Sequence, residues 1–192
     1  ATANDDEELL AILEETPMPG AIRLLYTRRP SPWLSFRREG QDVEILVCRD
    51  KKKNCIVSLG VYAIKEMYIN QEVRRVAYLF GLRSLQKYRL KFPLREGYEF
   101  LKDQLLKQQV EFIYTSIVEK NVPTVKLFSK KRLGLPSYQN LFSYSTLCLN
   151  QSKVLKASQK KNNIRQATIY DIEDVYQFIQ ENGKQWNGFP NI

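Results

Sequence analysis

Between residues 42 and 112 the apolar side chains change period from two to about 3.6 and back, and that change fixes the class of fold open to the chain. Residues 42–49 and 55–68 alternate or run apolar with β-branched side chains, and the turn-like DKKKN at 50–54 between them signals a hairpin. Residues 73–83 read as a further strand. Leu94, Tyr98, Leu101 and Leu105 then recur at steps of four, three and four, the stripe of an amphipathic helix, before 112–118 returns to a short apolar strand. An antiparallel meander feeding one strand-helix-strand crossover predicts a mixed α/β fold: a central, mostly antiparallel mixed sheet flanked by helices. Around this centre, 21–27 and 138–149 read as strands, 30–38 as a proline-started helix and 124–131 as a helix.

A chain of 192 residues suffices for one domain, or one domain and part of another. Its net charge of +9 favours an anionic partner: nucleic acid, a phosphorylated cofactor or an acidic surface. There is no histidine, which removes Ser-His-Asp and Cys-His catalysis and the commonest zinc ligand. Cys48, Cys55 and Cys148 lack metal-ligand spacing and read as reduced structural thiols, so no metal site is expected. No apolar run reaches the length of a membrane span and no signal peptide is visible, so the expectation is a cytoplasmic protein without a membrane partner.

The chain also resembles itself. ATANDDEELLAILEE at 1–15 lies on ATIYDIEDVYQFIQE at 167–181 without a gap, so that Thr2 and Asp5 match Thr168 and Asp171 while Leu9, Ile12 and Leu13 meet Val175, Phe178 and Ile179. Each copy is a capping-box-like Thr-x-x-Asp entry into an apolar helical stripe. With the polar, basic stretch around 151–163 read as a linker, the expected organisation is one unit at 1–150 with its first strand clipped, and the start of a second, similar unit at 164–192.

A buried strand running through a basic turn into a helix N-terminus suits phosphate, because first-turn N–H groups lack partners and the helix dipole favours negative charge. At 76–94, VAYLFGLRSLQKYRLKFPL resembles the strand and pyrophosphate loop of the GCN5-related N-acetyltransferase (GNAT) superfamily. NVPTVKLF at 121–128 is similar to that family's next block, and Arg165-Gln166-Ala167-Thr168 to the first strand of another such domain. The resemblance implies a tandem acetyltransferase-fold protein that takes acetyl-CoA as acyl donor, holds its pantetheine between the strands at 76–83 and 112–118, and transfers the acetyl group to an amine by direct attack. It implies cofactor contacts from Gly81, Leu82 and Arg83, from Lys87, Tyr88, Arg89, Leu90, Lys91, Phe92 and Leu94, and from Asn121 and Phe128. Asn121 also suits a helix N-cap.

The chain departs from the family pattern in two places. Leu90, Phe92 and Leu94 stand where the family carries small residues, and Phe128 stands where many members carry a tyrosine that protonates the departing thiolate. Glu72, Glu119 and Tyr138 are the candidate catalytic groups, each with a plain reading as surface carboxylate or packing residue. The basic cluster Lys126, Lys130, Lys131 and Arg132 reads either as an anion site or as a solvated helix end, and Trp33 and Phe36 either as an acceptor lid or as core. Two other classes remain beside the enzyme: a non-catalytic scaffold of the same fold and, with no matching motif, a nucleic-acid-binding module.

Overall fold

The computed structural model describes residues 1–18, 25–89, 93–130, 132, 134–145 and 165–191. The meander forms as the alternation requires. Strand β1 (Asp42–Asp50) pairs antiparallel with β2 (Cys55–Ile69), and β2 pairs antiparallel with β3 (Glu72–Ser84). After helix α3 (Leu94–Lys107), strand β4 (Phe112–Thr115) lies parallel to β3 from Val76↔Phe112 to Leu79↔Thr115. The sheet order is β1-β2-β3-β4.

Alternation divides the sheet into two faces. Leu59, Val61 and Ala63 of β2 point to the face covered by α1 (Asp6–Glu15) and α2 (Pro32–Arg37), where Leu9, Ile12, Leu13 and Phe36 are all buried. Tyr62 and Ile64 point to the other face, against Leu101 and Leu105 of α3. Burial of each such side chain is worth roughly 1.5–3 kcal/mol, so these stripes dominate the stability of the helices. Helix α2 starts on Pro32 with the Ser31 hydroxyl accepting from Leu34 N–H at 3.1 Å, and the Trp33 N–H donates to Asp6 of α1 at 2.7 Å.

The first turn of α1 is clamped to the β1-β2 hairpin. Arg49 donates to Asp5 at 2.7 Å and Glu8 at 2.8 Å, and the Ile56 N–H donates to Glu8 at 2.6 Å. Hydrogen bonds from the Thr2 N–H to Asp5 and from Ile56 to Glu8, with Arg49 beside both, hold these two carboxyls below their ordinary values. A lowered folded-state pKa contributes stability that is full above the unfolded value and lost as pH falls through the folded one. Arg49→Met is therefore expected to flatten the dependence of melting temperature on pH below about pH 5. An unchanged slope in a pH series of melts would show that the clamp is not coupled to folding.

The boundaries differ from the sequence reading in four places. The strand expected at 112–118 stops at Thr115, and the helix expected at 124–131 is α4 (Val122–Phe128). Residues 25–27 of the strand expected at 21–27 are irregular, and its remainder lies outside the described residues. Residues 138–145 are irregular instead of a strand, because their apolar side chains find no ladder: Leu141, Phe142 and Tyr144 stay exposed. The rest of that segment, Cys148 and the linker at 151–163 lie outside the described residues. Cys48 and Cys55 are half-buried free thiols.

The two Thr-x-x-Asp segments share one backbone geometry. Thr2 and Thr168 are extended, each followed by a single 3-10 turn (Ala3–Asp5, Ile169–Asp171), and each N–H donates to the Asp three residues on at 2.7 Å. The following helices are α1 and α5 (Ile172–Gly183). Their apolar stripes fare differently: Leu9, Ile12 and Leu13 are buried, whereas Val175 is 46% and Phe178 67% exposed. A short strand after α5, β5 (Phe189–Pro190), pairs antiparallel with Tyr68 and Met67 on the edge of β2 that β1 leaves free. The Tyr68 hydroxyl reaches the side-chain amides of Gln180, 3.0 Å, and Asn191, 3.1 Å. No described helix is long and apolar enough to cross a membrane.

Candidate functional site

The site forms where two parallel strands part. Pairing of β3 with β4 ends at Leu79↔Thr115, and the Thr115 hydroxyl donates to the Leu79 carbonyl at 2.7 Å, engaging an acceptor at the point of departure. Beyond it β3 continues to Ser84 while 116–118 leave the sheet, so among the described residues no strand pairs with the β4-side backbone edge of β3 there. On its β2 side, the ladder passes from Val61↔Phe80 to Leu59↔Arg83, leaving Gly81 and Leu82 opposite Gly60. This is a β-bulge with Gly81 at φ +66°, a left-handed conformation suited to glycine. Gly81, Leu82 and Arg83 therefore sit together beside the splay.

The bulge also sets which way Arg83 points. Direct cross-strand partners share a face, so Arg83, opposite Leu59, emerges on the α1/α2 side, as does Phe80, opposite Val61. Without the extra residue the period of two would place them on opposite faces. On this side an aromatic row crosses the splay. Tyr114 stacks on Tyr78 at 4.8 Å, Tyr78 on Phe80 at 4.9 Å, and Phe36 of α2 leans on Phe80 at 5.9 Å. The Arg28 guanidinium lies 4.4 Å over Phe36 and 5.6 Å from the Phe80 ring, and donates to Glu39 at 2.8 Å and to the Ser35 hydroxyl at 3.1 Å. Burial raises the phenols of Tyr78 and Tyr114, so both stay protonated at neutral pH. Burial, with the Arg28 charge adding to it, lowers Arg83.

Arg28, Glu39, Tyr78 and Tyr114 were not singled out from the sequence. Tyr78 was recoverable, since it alternates with Phe80 on a strand already recognised. Arg28 and Glu39 lie far from that strand in the chain, and no local spacing points to them.

Beyond the end of β3, the basic turn is tethered. Residues Gln86–Tyr88 form a 3-10 turn from which the Tyr88 hydroxyl donates to Asp50 at 2.8 Å, and this bond pushes its pKa up to about 12. Lys87 and Arg89 are exposed. The first backbone bond of α3 runs from Gly97 N–H to the Pro93 carbonyl at 3.0 Å, and among the described residues no side chain caps the N–H groups ahead of it, beginning with Leu94. Arg95 is paired with Glu99 at 2.8 Å. Leu90, Lys91 and Phe92 lie outside the described residues.

The remaining candidates divide. Glu72 begins β3, at the end remote from the splay, and pairs with Arg74; its position corrects the expectation that it faces the gap. Glu119 is exposed in the turn after β4, at the splay end. Tyr138 packs on the α3 face, and with Tyr98 it makes edge contacts to Phe128 at 5.5 and 5.7 Å. Burial raises the Tyr138 phenol, so it stays protonated and is no base at neutral pH. Phe128 is 4% exposed, an anchor of that cluster. Asn121 occupies the N-cap position of α4 but makes no side-chain cap, which leaves its amide free of that duty.

No protein-family model and no curated protein matches the sequence. Solved structures do match in shape. An acetyltransferase from Trypanosoma brucei is 15% identical with a TM-score of 0.52, over 76% of this chain and 96% of its own. The aminoglycoside antibiotic 6'-N-acetyltransferase from Acinetobacter haemolyticus is 12% identical with a TM-score of 0.56, over 77% and 96% respectively. Glucosamine-6-phosphate N-acetyltransferase from Arabidopsis thaliana is 14% identical with a TM-score of 0.50, over 74% and 95%. The mixed sheet and its flanking helices are thus those of the GNAT acetyltransferase fold.

Proposed function

We propose that the chain is an acetyl-CoA-dependent N-acetyltransferase unit acting on an amine, and the observation that carries this reading is the open edge of β3 beside the Gly81 bulge. A strand edge released from its neighbour offers alternating N–H and C=O groups, which suit the two amides of a pantetheine arm. The uncapped start of α3 and the exposed Lys87 and Arg89 suit its phosphates. Acetyl-CoA supplies an activated acyl group and a thiolate leaving group. The chain's part is to hold that carbonyl against backbone N–H groups of the bulge and to orient the amine. Tyr78 and Tyr114, protonated at neutral pH, act as hydrogen-bond donors. Glu39, whose charge reaches both phenols, is the carboxylate we assign to take the amine's proton, directly or through water. Phe128 cannot protonate a thiolate, so water takes that role.

Thermal melts of the full chain with acetyl-CoA, CoA and ATP test this reading. At about 100 times the dissociation constant a ligand adds roughly 2.7 kcal/mol to folded-state stability. Acetyl-CoA and CoA are expected to raise the melting temperature and ATP to leave it unchanged. No shift with any of them favours the second reading, a non-catalytic scaffold of the same fold. The burial of Phe128 where a thiolate-protonating tyrosine would stand in that family speaks for the scaffold.

We further propose that 164–192 opens a second unit of the same kind, with 1–150 as the first. Support comes from the matched capping boxes and from the stripe Val175, Phe178 on α5, the counterpart of residues that α1 buries on its sheet.

A further inference from the structure

Resting on the acetyltransferase reading, we propose that the acceptor amine also carries an anionic group, a carboxylate or a phosphate, and that Arg83 is the residue that binds it. The open side of the splay dictates the direction of approach. On one face β3 is covered by α3, with Leu101 and Leu105 against Ala77 and Leu79, and the Tyr98-Phe128-Tyr138 cluster packs on that same side. The other face presents the half-buried Tyr78, Phe80 and Tyr114. An acceptor in attacking position must lie about 3–3.5 Å from a carbonyl held at the bulge, and so within a side chain's length of Arg83.

Among the described residues Arg83 makes no ion pair. Its guanidinium donates to the Leu82 carbonyl at 2.8 Å and meets no carboxylate among the described residues. Arg28, by contrast, is held by Glu39, Ser35 and the Phe36 ring. A half-buried guanidinium lacking a carboxylate, beside a second arginine, is poorly solvated and favours an anion, which it can engage through two parallel N–H bonds. Glu39 on the same side is the carboxylate assigned to the amine end, so this face offers a carboxylate for the amine and a guanidinium for the anion.

Matched acceptor pairs test the assignment: phosphoethanolamine against ethanolamine for phosphate, and glycine against glycinamide for carboxylate. Two readouts are taken on the full chain, kcat/KM with acetyl-CoA and the thermal shift produced by each amine in the presence of CoA. The anionic member of at least one pair is expected to be preferred by at least about tenfold, and which pair shows it identifies the group. Arg83→Met is expected to bring that ratio to near one, and Arg83→Lys to restore part of it, with melting temperatures confirming that both variants fold. Binding of acetyl-CoA together with preference for the neutral member of both pairs overturns the inference and leaves the acetyltransferase reading standing. So does an Arg83→Met variant that weakens CoA binding while keeping the acceptor ratio, which would assign Arg83 to the cofactor. Absence of any acetyl-CoA binding overturns both.

Discussion

Phe36→Ala is expected to lose about 3–5 kcal/mol of folding stability, a large part of the roughly 5–15 kcal/mol that a domain of this size has in total. Phe36 is 1% exposed, and its ring touches three separate parts of the fold. It sits in the core cluster with Leu9 and Val61, leans on Phe80 at 5.9 Å, and carries Arg28 at 4.4 Å. The ring's removal leaves a cavity between α2 and the sheet and takes away a cation-π contact of about 0.5–2 kcal/mol. Urea denaturation measures the loss. Phe36→Leu, which refills most of the volume but has no π face, is expected to recover much of the stability without the Arg28 contact. A loss below about 1 kcal/mol for the alanine variant would mean that α2 is not seated on the sheet as described.

Gly81→Val is expected to abolish the acetyl-CoA thermal shift and to lower stability by at least about 2 kcal/mol. At φ +66° a β-branched residue is strained, and a Cβ would already stand 3.3 Å from Val61 Cγ2 and 3.5 Å from Phe36 Cε1. Relief requires the strand to leave the left-handed conformation. That shift removes the bulge and turns Arg83 toward the α3 face, which changes the backbone N–H groups that the bulge offers. A variant that folds, melts lower and still shifts fully with acetyl-CoA would show that the bulge is not part of the binding surface.

The strands β1 to β3 and helix α3 were legible because each buries a face with a simple period. The hairpin turn at 50–54 and the stripe Leu94, Tyr98, Leu101, Leu105 carry that information within a few residues. The capping boxes at Thr2 and Thr168 were legible for the same reason, since a cap is made by residues three apart. Gly81 to Arg83 were found through the family resemblance, while the bulge was not. A bulge exists only as a mismatch between two strands, and Gly60, its other half, gives no sign of it in the sequence. Residues 138–145 mislead for a related reason: an aromatic, apolar pattern states a preference, and only a free edge in register turns it into a strand.

The sequence by itself determined the kinds and order of β1 to β4 and of the helices, the capped starts of α1 and α5, and the faces that α1 and α3 bury, because these depend on interactions between near neighbours in the chain. Tertiary structure alone decided that β4 leaves β3 after Thr115, that β5 returns to the edge of β2, that Glu72 lies away from the gap and Tyr138 within a packed cluster, and that Arg28, Glu39, Tyr78, Tyr114 and Arg83 meet on one side. Those outcomes depend on pairing between residues tens of positions apart, where the register of one strand on another, and not any local spacing, fixes which side chains share a face.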